Sequence, residues 1–158
     1  MIGSLLYLTT SRPNIMLAVG LVARYQATLK QNHLLEAKRI FRYLQGTTQY
    51  GLWYPKGKRF TLTTYTDADW ASCVDDRKIT SGGAFYLGES LVAWLSKKQT
   101  SISLSTTEAE YIAVATCCTQ VMWMKQILLD MKVSIDEPIS IKCDNTSAIS
   151  ISKNPVLH

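Results

Sequence analysis

One stretch decides the fold class: Phe60-Thr-Leu-Thr-Thr-Tyr-Thr-Asp67, a run rich in β-branched and aromatic residues that ends in a carboxylate. Such a run predicts a β-strand, and Gly51–Tyr54, followed by a turn at Pro55–Gly57, is expected to pair with it as a hairpin. The elements that follow are predicted in this order: strands over 82–87 and 91–95, a long helix from Ser105 to about Lys132, a strand over Ile139–Cys143 and a short helix over Thr146–Ile151. The order predicts a mixed α/β domain.

Upstream of this domain the pattern is helical. Ile15–Ala27 is apolar almost all round, which predicts a buried helix. Asn32 is expected to cap a second helix over His33–Gln45, whose apolar residues form one stripe. The sequence therefore divides into a helical segment, residues 1–49, and a sheet-containing domain, residues 50–158.

Charge is distributed unequally along the 158 residues. Residues 1–59 carry nine basic side chains and one acidic one, Glu36, whereas residues 60–158 carry eight basic and eleven acidic ones. A basic half is typical of a protein with a polyanionic partner, most often nucleic acid, although solvated helix faces explain it equally well. The overall composition, 47% hydrophobic and 18% charged, excludes a disordered tail and a collagen-like repeat.

The cysteines and the apolar runs exclude two further classes of protein. None of the four cysteines forms a C-x-x-C pair and both histidines lie far from them, so the spacing of a zinc site is absent. The longest apolar run without a charge, Ile15–Ala23, is about half the length of a bilayer span. We therefore expect an intracellular protein with no membrane partner.

Three carboxylates fall at the boundaries of the predicted elements. Asp67 and Asp144 each end a strand, and Glu110 lies in the second turn of the long helix. Each of them alone is explained as a turn or capping residue. If the two strands are neighbours and the helix packs across them, the three side chains converge, and their repulsion is relieved by a hard divalent cation such as Mg²⁺.

Two other acidic residues compete with these for the same role. Ser105-Thr-Thr-Glu108 has the pattern of a capping box, in which Glu108 bonds back to the start of the helix, so Glu108 has a structural function and Glu110 has none. Asp69 shares a strand face with Asp67 and stays open as an additional ligand.

Several motifs, in this order, resemble the ribonuclease H region of plant copia-type retrotransposon polyproteins. They are Thr66-Asp-Ala-Asp-Trp70, Asp76-Arg-Lys78 with Thr80-Ser-Gly82, Trp94-Leu-Ser-Lys-Lys-Gln99, Ser105-Thr-Thr-Glu-Ala-Glu-Tyr-Ile-Ala113 and Cys143-Asp-Asn-Thr-Ser-Ala-Ile149. Upstream, Met1–Leu8, Ser11–Pro13 and Ala37–Leu44 resemble the segment that joins the reverse transcriptase to that region. The resemblance covers essentially the whole chain.

The resemblance implies a ribonuclease H-like mixed sheet, with three antiparallel strands, a helix, a parallel strand and a short helix. It implies an endonuclease that hydrolyses the RNA strand of an RNA–DNA hybrid, with Asp67, Glu110 and Asp144 as catalytic ligands of Mg²⁺ or Mn²⁺. The implied partners are the hybrid and the reverse transcriptase portion of the parent polyprotein, in a cytoplasmic virus-like particle or in the nucleus. Candidates for contacts with the hybrid backbone are Arg77, Lys78, Lys97, Lys98 and Gln99, for which an ordinary solvated loop is the alternative.

The sequence also departs from the family pattern. That pattern continues beyond Asn154-Pro155 into a fifth strand and a last helix, which supply a histidine and a fourth acidic ligand, and we expect this chain to lack both. The alternative function is therefore an inactive remnant that only binds nucleic acid or a partner chain. A third hypothesis, a helical scaffold, predicts no binding of nucleic acid.

Overall fold

The structure, a computed structural model, describes residues 1–56, 60–69, 78–135, 137–154 and 156. It divides the chain into two compact units, Met1–Trp53 and Tyr54–His158. The first, which we call the helical unit, is built from helices, and the second, the sheet unit, contains a four-stranded sheet with helices. The assignment of the helical unit to the end of a reverse transcriptase stays a prediction.

The helical unit has an aliphatic core. Its elements are α1 (Ile2–Leu8), a 3-10 turn (Pro13–Ile15), α2 (Met16–Ala23) and α3 (Gln31–Gly46). The side chains that meet in its centre are Leu5, Ile15, Val19, Val22, Ala37 and Ile40. Burial of these apolar surfaces stabilises the three helices against one another.

Two predicted helix boundaries in this unit are wrong. Helix α2 ends at Ala23 rather than Ala27, because the next amides bond to the carbonyl three residues back, as in Gln26 to Ala23, and tighten the chain into turns. Helix α3 begins two residues before the predicted start, and its N-cap is Lys30 rather than Asn32. The backbone N–H of Lys30 donates to Nδ1 of His33 at 3.2 Å, and the side chain of the N-cap residue itself makes no capping bond.

The sheet unit has the predicted mixed topology. Its strands are β1 (Leu62–Asp69), β2 (Thr80–Leu87), β3 (Ser90–Lys98) and β4 (Ser140–Lys142), in the spatial order β3-β2-β1-β4. The pairs β1/β2 and β2/β3 are antiparallel, and β1/β4 is parallel. The helices α4 (Thr106–Asp130) and α5 (Thr146–Lys153) complete the α/β fold.

The hairpin expected between Gly51–Tyr54 and β1 does not form. Both edges of β1 are occupied, one by β2 and the other by β4, so no edge remains for a third partner. Residues 51–54 lie outside the sheet, and the hydroxyl of Tyr54 donates to the carbonyl of Leu91 at the β3 side. The predicted turn at Pro55–Gly57 falls partly outside the described residues.

Helix α4 lies across β1 and β2 and carries one of the three carboxylates. Ser105 caps it, accepting a bond from the Glu108 N–H at 3.1 Å, and the Glu108 carboxylate accepts from the N–H of Leu104 at 2.7 Å. This confirms the structural role of Glu108, which reaches one residue further back than predicted. The buried side of α4 then packs on the sheet next to Leu62 and Phe85.

Helix α4 is also long and apolar enough to cross a membrane, judged by length and composition alone, and it is the one such helix in the part of the chain that the structure describes. A core helix passes the same test. Its buried residues recur about every four positions, which places them on the side that contacts the sheet: Ala109, Glu110, Ala113, Cys117, Val121 and Met124.

Candidate metal centre

Among the described residues of the sheet unit, Glu110 is the one acidic group that is buried. Its side chain is 7% exposed, and its Oε1 accepts a hydrogen bond from the backbone N–H of Ala68 on β1 at 3.1 Å. Removal from water raises the pKa of the Glu110 carboxyl above its ordinary value, and the negative charges of Asp67 and Asp144 raise it further, against the lowering effect of the Ala68 hydrogen bond. The helix thus places a carboxylate at a fixed point over β1, where holding its charge is unfavourable.

Asp67 and Asp144 approach Glu110 from two neighbouring strands. The parallel register of β1 and β4 pairs Tyr65 with Lys142, and Asp67 and Asp144 each follow two residues after that pair. Both aspartates are exposed, and both act electrostatically on Glu110. The fold therefore makes β1 and β4 neighbours and packs the helix that carries Glu110 against both, while the ligand role of the three carboxylates stays a prediction.

The turn from β4 into α5 holds Asp144 at this place. Asn145 is the N-cap of α5, and its Oδ1 accepts from the N–H of Ala148 at 2.9 Å. Ala148 is buried, and α5 packs against α4. Asp144 is thereby fixed between a strand that pairs with β1 and a helix that contacts the element carrying Glu110.

Cys143 is a member of the centre that the sequence analysis missed. Its Sγ lies 3.8 Å from Oε2 of Glu110, and ligand atoms of Glu110, Cys143 and Asp144 all lie within 4.8 Å of one another. Burial raises the pKa of the Cys143 thiol, and the neighbouring carboxylates add to this, so the thiol stays protonated and its S–H faces Glu110. The available signal was the position of Cys143 directly before Asp144 at the end of a strand.

The donor set fits a hard divalent cation. The groups that act on the Glu110 carboxyl in the described chain are Asp67, Asp144, Cys143 and the Ala68 amide, and none of them is cationic. Carboxylate oxygens are the ligands that Mg²⁺ and Mn²⁺ take in proteins, and a cation among them offsets their mutual repulsion. Asp67 does not belong to the group of residues whose ligand atoms lie within 4.8 Å of one another. Of the three predicted carboxylates, Glu110 and Asp144 belong to that group.

Comparison with known proteins gives relatives of one kind along nearly the whole chain. The retrovirus-related Pol polyprotein from transposon RE1 of Arabidopsis thaliana is 40% identical over 157 residues, 99% of this chain, and that from transposon TNT 1-94 of Nicotiana tabacum is 39% identical over 158 residues. The chain belongs to the copia-type retrotransposon Pol family. It spans about a tenth of the length of those two polyproteins, 11% and 12%.

A shorter relative of the Pol-family chain carries a different name. The secreted RxLR effector protein 161 of Plasmopara viticola is 38% identical over 124 residues, which are 78% of this chain and 87% of that protein. No protein-family model matches the chain, and no solved structure matches it. Family membership therefore rests on whole-sequence similarity to the Pol polyproteins.

The basic residues proposed to contact the nucleic-acid backbone in this Pol chain do not form one continuous surface. Lys97 is exposed and pairs in register with Ser81, whereas Lys98 is half-buried and pairs with Thr80. Because successive strand residues point to opposite faces, Lys97 and Lys98 lie on opposite sides of the sheet. Lys78 is half-buried before β2, and Arg77 lies outside the described residues.

Gln99 differs from the other candidates for backbone contacts. It is 6% exposed, and its side-chain amide bonds to Ser81, Ala109 and Ser103 inside the sheet unit. A carboxamide that is buried and occupied in this way is not available to a phosphate. The expectation that Gln99 contacts nucleic acid is therefore corrected to a role inside the protein.

Proposed function

We propose that this Pol-family chain is a ribonuclease H that hydrolyses the RNA strand of an RNA–DNA hybrid in a metal-dependent reaction. The observation that supports it most strongly is the buried Glu110 carboxylate, which is bonded to β1 and flanked by Asp67 and Asp144, and none of the groups in the described part of the chain that act on it is cationic. A buried acidic group in such surroundings destabilises the fold unless a cation neutralises it, which is the pattern of a functional site.

Asp67, Glu110 and Asp144 would hold Mg²⁺ or Mn²⁺. When bound, such a cation supplies an acidified water as nucleophile and stabilises the charge of the leaving oxygen. Glu110 contributes rigidity, since its Oε1 is held by the Ala68 N–H and its Oε2 is directed to Cys143 and Asp144. The two aspartates are exposed to solvent, so a phosphodiester can approach the centre from their side.

The substrate is recognised by its backbone. Exposed Lys97 would contact a phosphate of the hybrid, so binding should weaken with added salt. Discrimination between the RNA strand and DNA would come from the 2′-hydroxyl groups in the wide minor groove. In the cell the partner would be the reverse transcriptase portion of the polyprotein, within a cytoplasmic virus-like particle or in the nucleus.

The test is cleavage of a hybrid labelled on its RNA strand, with Mg²⁺ or Mn²⁺. Asp67→Asn and Glu110→Gln should each reduce the rate by at least about a hundredfold, the scale on which loss of one preorganised electrostatic group acts. Glu108→Gln is the matched control, because Glu108 lies two residues away on the same helix and only caps it. Equal rates for Glu110→Gln and Glu108→Gln would refute the proposed site.

A second function, binding of nucleic acid without turnover, is supported by the charge of the N-terminal part, where nine basic residues face a single acidic one over residues 1–59. It predicts that the folded protein retains the hybrid at low salt with or without a divalent cation and never cuts it. Metal-dependent cutting that Asp67→Asn abolishes would exclude this alternative.

A further inference from the structure

Gln99 joins three parts of the sheet unit through its side chain. It follows the last residue of β3, and its own N–H donates to the carbonyl of Ile79 at 2.8 Å. Its Nε2 donates to Oγ of Ser81 on β2 at 3.0 Å and to the carbonyl of Ala109 on α4 at 2.9 Å. Its Oε1 accepts from Oγ of Ser103 at 3.0 Å. Both protons of the amide and one lone pair of its oxygen are therefore used.

The bond to Ala109 acts directly on the residue that carries the candidate centre. The carbonyl of Ala109 belongs to the same planar peptide group as the nitrogen of Glu110, so a donor fixed to that oxygen fixes the origin of the Glu110 side chain. Ala109 is fully buried, and the helix bond to the residue four positions on leaves a second lone pair on its carbonyl for Gln99.

The far end of the Glu110 side chain is fixed from another strand. Its Oε1 accepts from Ala68 on β1, while the Gln99 amide is held by Ser81 on β2. The β1/β2 pairing places Ala68 opposite Ser81, so the two anchors stand across from each other in the sheet. A continuous series of bonds thus leads from β2 through Gln99 and the first turns of α4 to the carboxylate, and back to β1.

A further bond ties α4 to β2, but it is weaker and more distant from Glu110. Cys117 Sγ lies 3.9 Å from the carbonyl of Gly82, about two helical turns beyond the carboxylate. Sulfur is a weak donor, and rotation of the helix about that point would still move Glu110. The Gln99 bond is placed where it opposes such a movement.

We propose that Gln99 is a positioning residue for Glu110. Gln99 sets the height and rotation of the Ala109–Glu110 peptide over β1. The Glu110 carboxylate thereby contacts both the Ala68 amide and the Asp144 side of the centre. This inference rests on the proposed metal-dependent function. It replaces the contact with nucleic acid that the sequence suggested for Gln99 with an action through the protein. Residues that orient a metal ligand typically contribute ten- to a hundredfold to affinity for the metal.

The test compares Gln99→Met with Ser103→Ala in the full chain. Methionine has nearly the same shape as glutamine and removes all the side-chain bonds without a cavity, whereas Ser103→Ala removes only the bond to Oε1 and leaves the one to Ala109. We expect the dissociation constant for Mn²⁺, measured by calorimetry on the folded protein, to rise at least about tenfold in Gln99→Met and to change less than about twofold in Ser103→Ala.

Kinetics on the hybrid supply the second measurement. Gln99→Met should lower kcat by about the same factor and leave KM for the hybrid nearly unchanged, since the residue does not touch the substrate. Wild-type affinity for Mn²⁺ in Gln99→Met would overturn the positioning role and leave the proposed function intact. A wild-type chain that neither binds Mn²⁺ nor cuts the hybrid would overturn both.

A second variant with a shorter side chain distinguishes a positioning role from a folding defect of Gln99→Met. Gln99→Asn keeps a buried amide but withdraws it from Ala109 by one methylene, so it should fold and still show weakened binding of Mn²⁺. If neither Gln99→Met nor Gln99→Asn folds, as judged by circular dichroism, the residue serves stability alone and the positioning role is rejected.

Discussion

The core of the helical unit is formed by aliphatic side chains, whereas the sheet unit buries polar groups beside its apolar cluster. In the described helical unit the buried polar side chain is Thr9, while the sheet unit buries Thr64, Thr66, Thr80, Ser81, Ser90, Gln99, Ser103 and Glu110. Burial of polar groups costs free energy unless each group is bonded, so it does not serve stability in general. The difference indicates that the contact between α4 and the sheet holds particular polar groups in place. The core of the helical unit contributes stability through apolar packing.

The largest expected effect comes from the apolar part of the sheet unit. Phe85 is 0% exposed and lies in the cluster under α4, so Phe85→Ala should lower the free energy of unfolding of this unit by about 3–5 kcal/mol. Phe60→Ala is the matched control, because Phe60 is 58% exposed. Urea denaturation monitored by circular dichroism measures both, and equal losses would show that the cluster is not the core.

A smaller effect tests how closely α4 approaches the sheet. A Cβ at Gly83 would lie 2.9 Å from Sγ of Cys117 and 3.0 Å from Cγ of Leu95, so Gly83→Ala forces these side chains to shift, at about 1–3 kcal/mol. The neighbouring Gly82→Ala meets only ordinary contacts, at 3.7 Å from the Asp67 carbonyl. Thermal unfolding of the two variants should differ, and an equally tolerant Gly83 would contradict the close packing.

Loss of the N-cap of α4 should reduce the stability by less than the changes at Phe85 and Gly83. Ser105→Ala removes the side-chain acceptor of the Glu108 N–H and should reduce stability by about 1 kcal/mol. Ser105→Thr keeps a hydroxyl at the same place and should recover most of the loss. A Ser105→Ala protein as stable as the wild type would show that the cap contributes nothing here.

The smallest change in stability is expected at Glu110, where its sign is informative. The pKa of this carboxyl is raised in the folded protein by burial, so the group favours folding only while it is protonated. Its contribution is fully present below the pKa of the unfolded chain and is lost as the pH rises through the raised value. Without divalent cations, Glu110→Gln should therefore be more stable than the wild type at neutral pH, and the difference should shrink towards acidic pH.

Added Mg²⁺ supplies the control for that prediction. A cation that binds the folded wild type stabilises it by mass action, so the melting temperature of the wild type should rise and that of Glu110→Gln should not. If Glu110→Gln is less stable than the wild type at neutral pH without metal, the charged Glu110 carboxylate does not destabilise the fold, and the prediction is contradicted.

The sequence alone was sufficient for the order of β1 to β3, α4, β4 and α5 in the sheet unit and for the capping role of Glu108. The spacing of Ser105 and Glu108 identifies a cap, and the structure confirms it. These features are local, or follow from hydrophobic period, and such signals are carried by a few neighbouring residues.

Other features depended on contacts that are distant in sequence. The hairpin at Gly51–Tyr54 failed because β4, which begins only at Ser140, takes the remaining edge of β1. Gln99 follows two lysines and was interpreted as part of an exposed basic loop, yet its partners Ser81 and Ala109 bury it. Cys143 shows the same limit, because only the pairing of β4 with β1 places its sulfur beside Glu110.

The most direct test of the account is to locate a bound cation within the sheet unit. In a titration with Mn²⁺ followed by nuclear magnetic resonance, the paramagnetic ion should first broaden the amide signals of Ala68, Glu110, Cys143 and Asp144, and Glu110→Gln should abolish this while Glu108→Gln preserves it. We expect saturable broadening at those amides. Broadening elsewhere, or the same broadening in Glu110→Gln, would contradict the proposed centre.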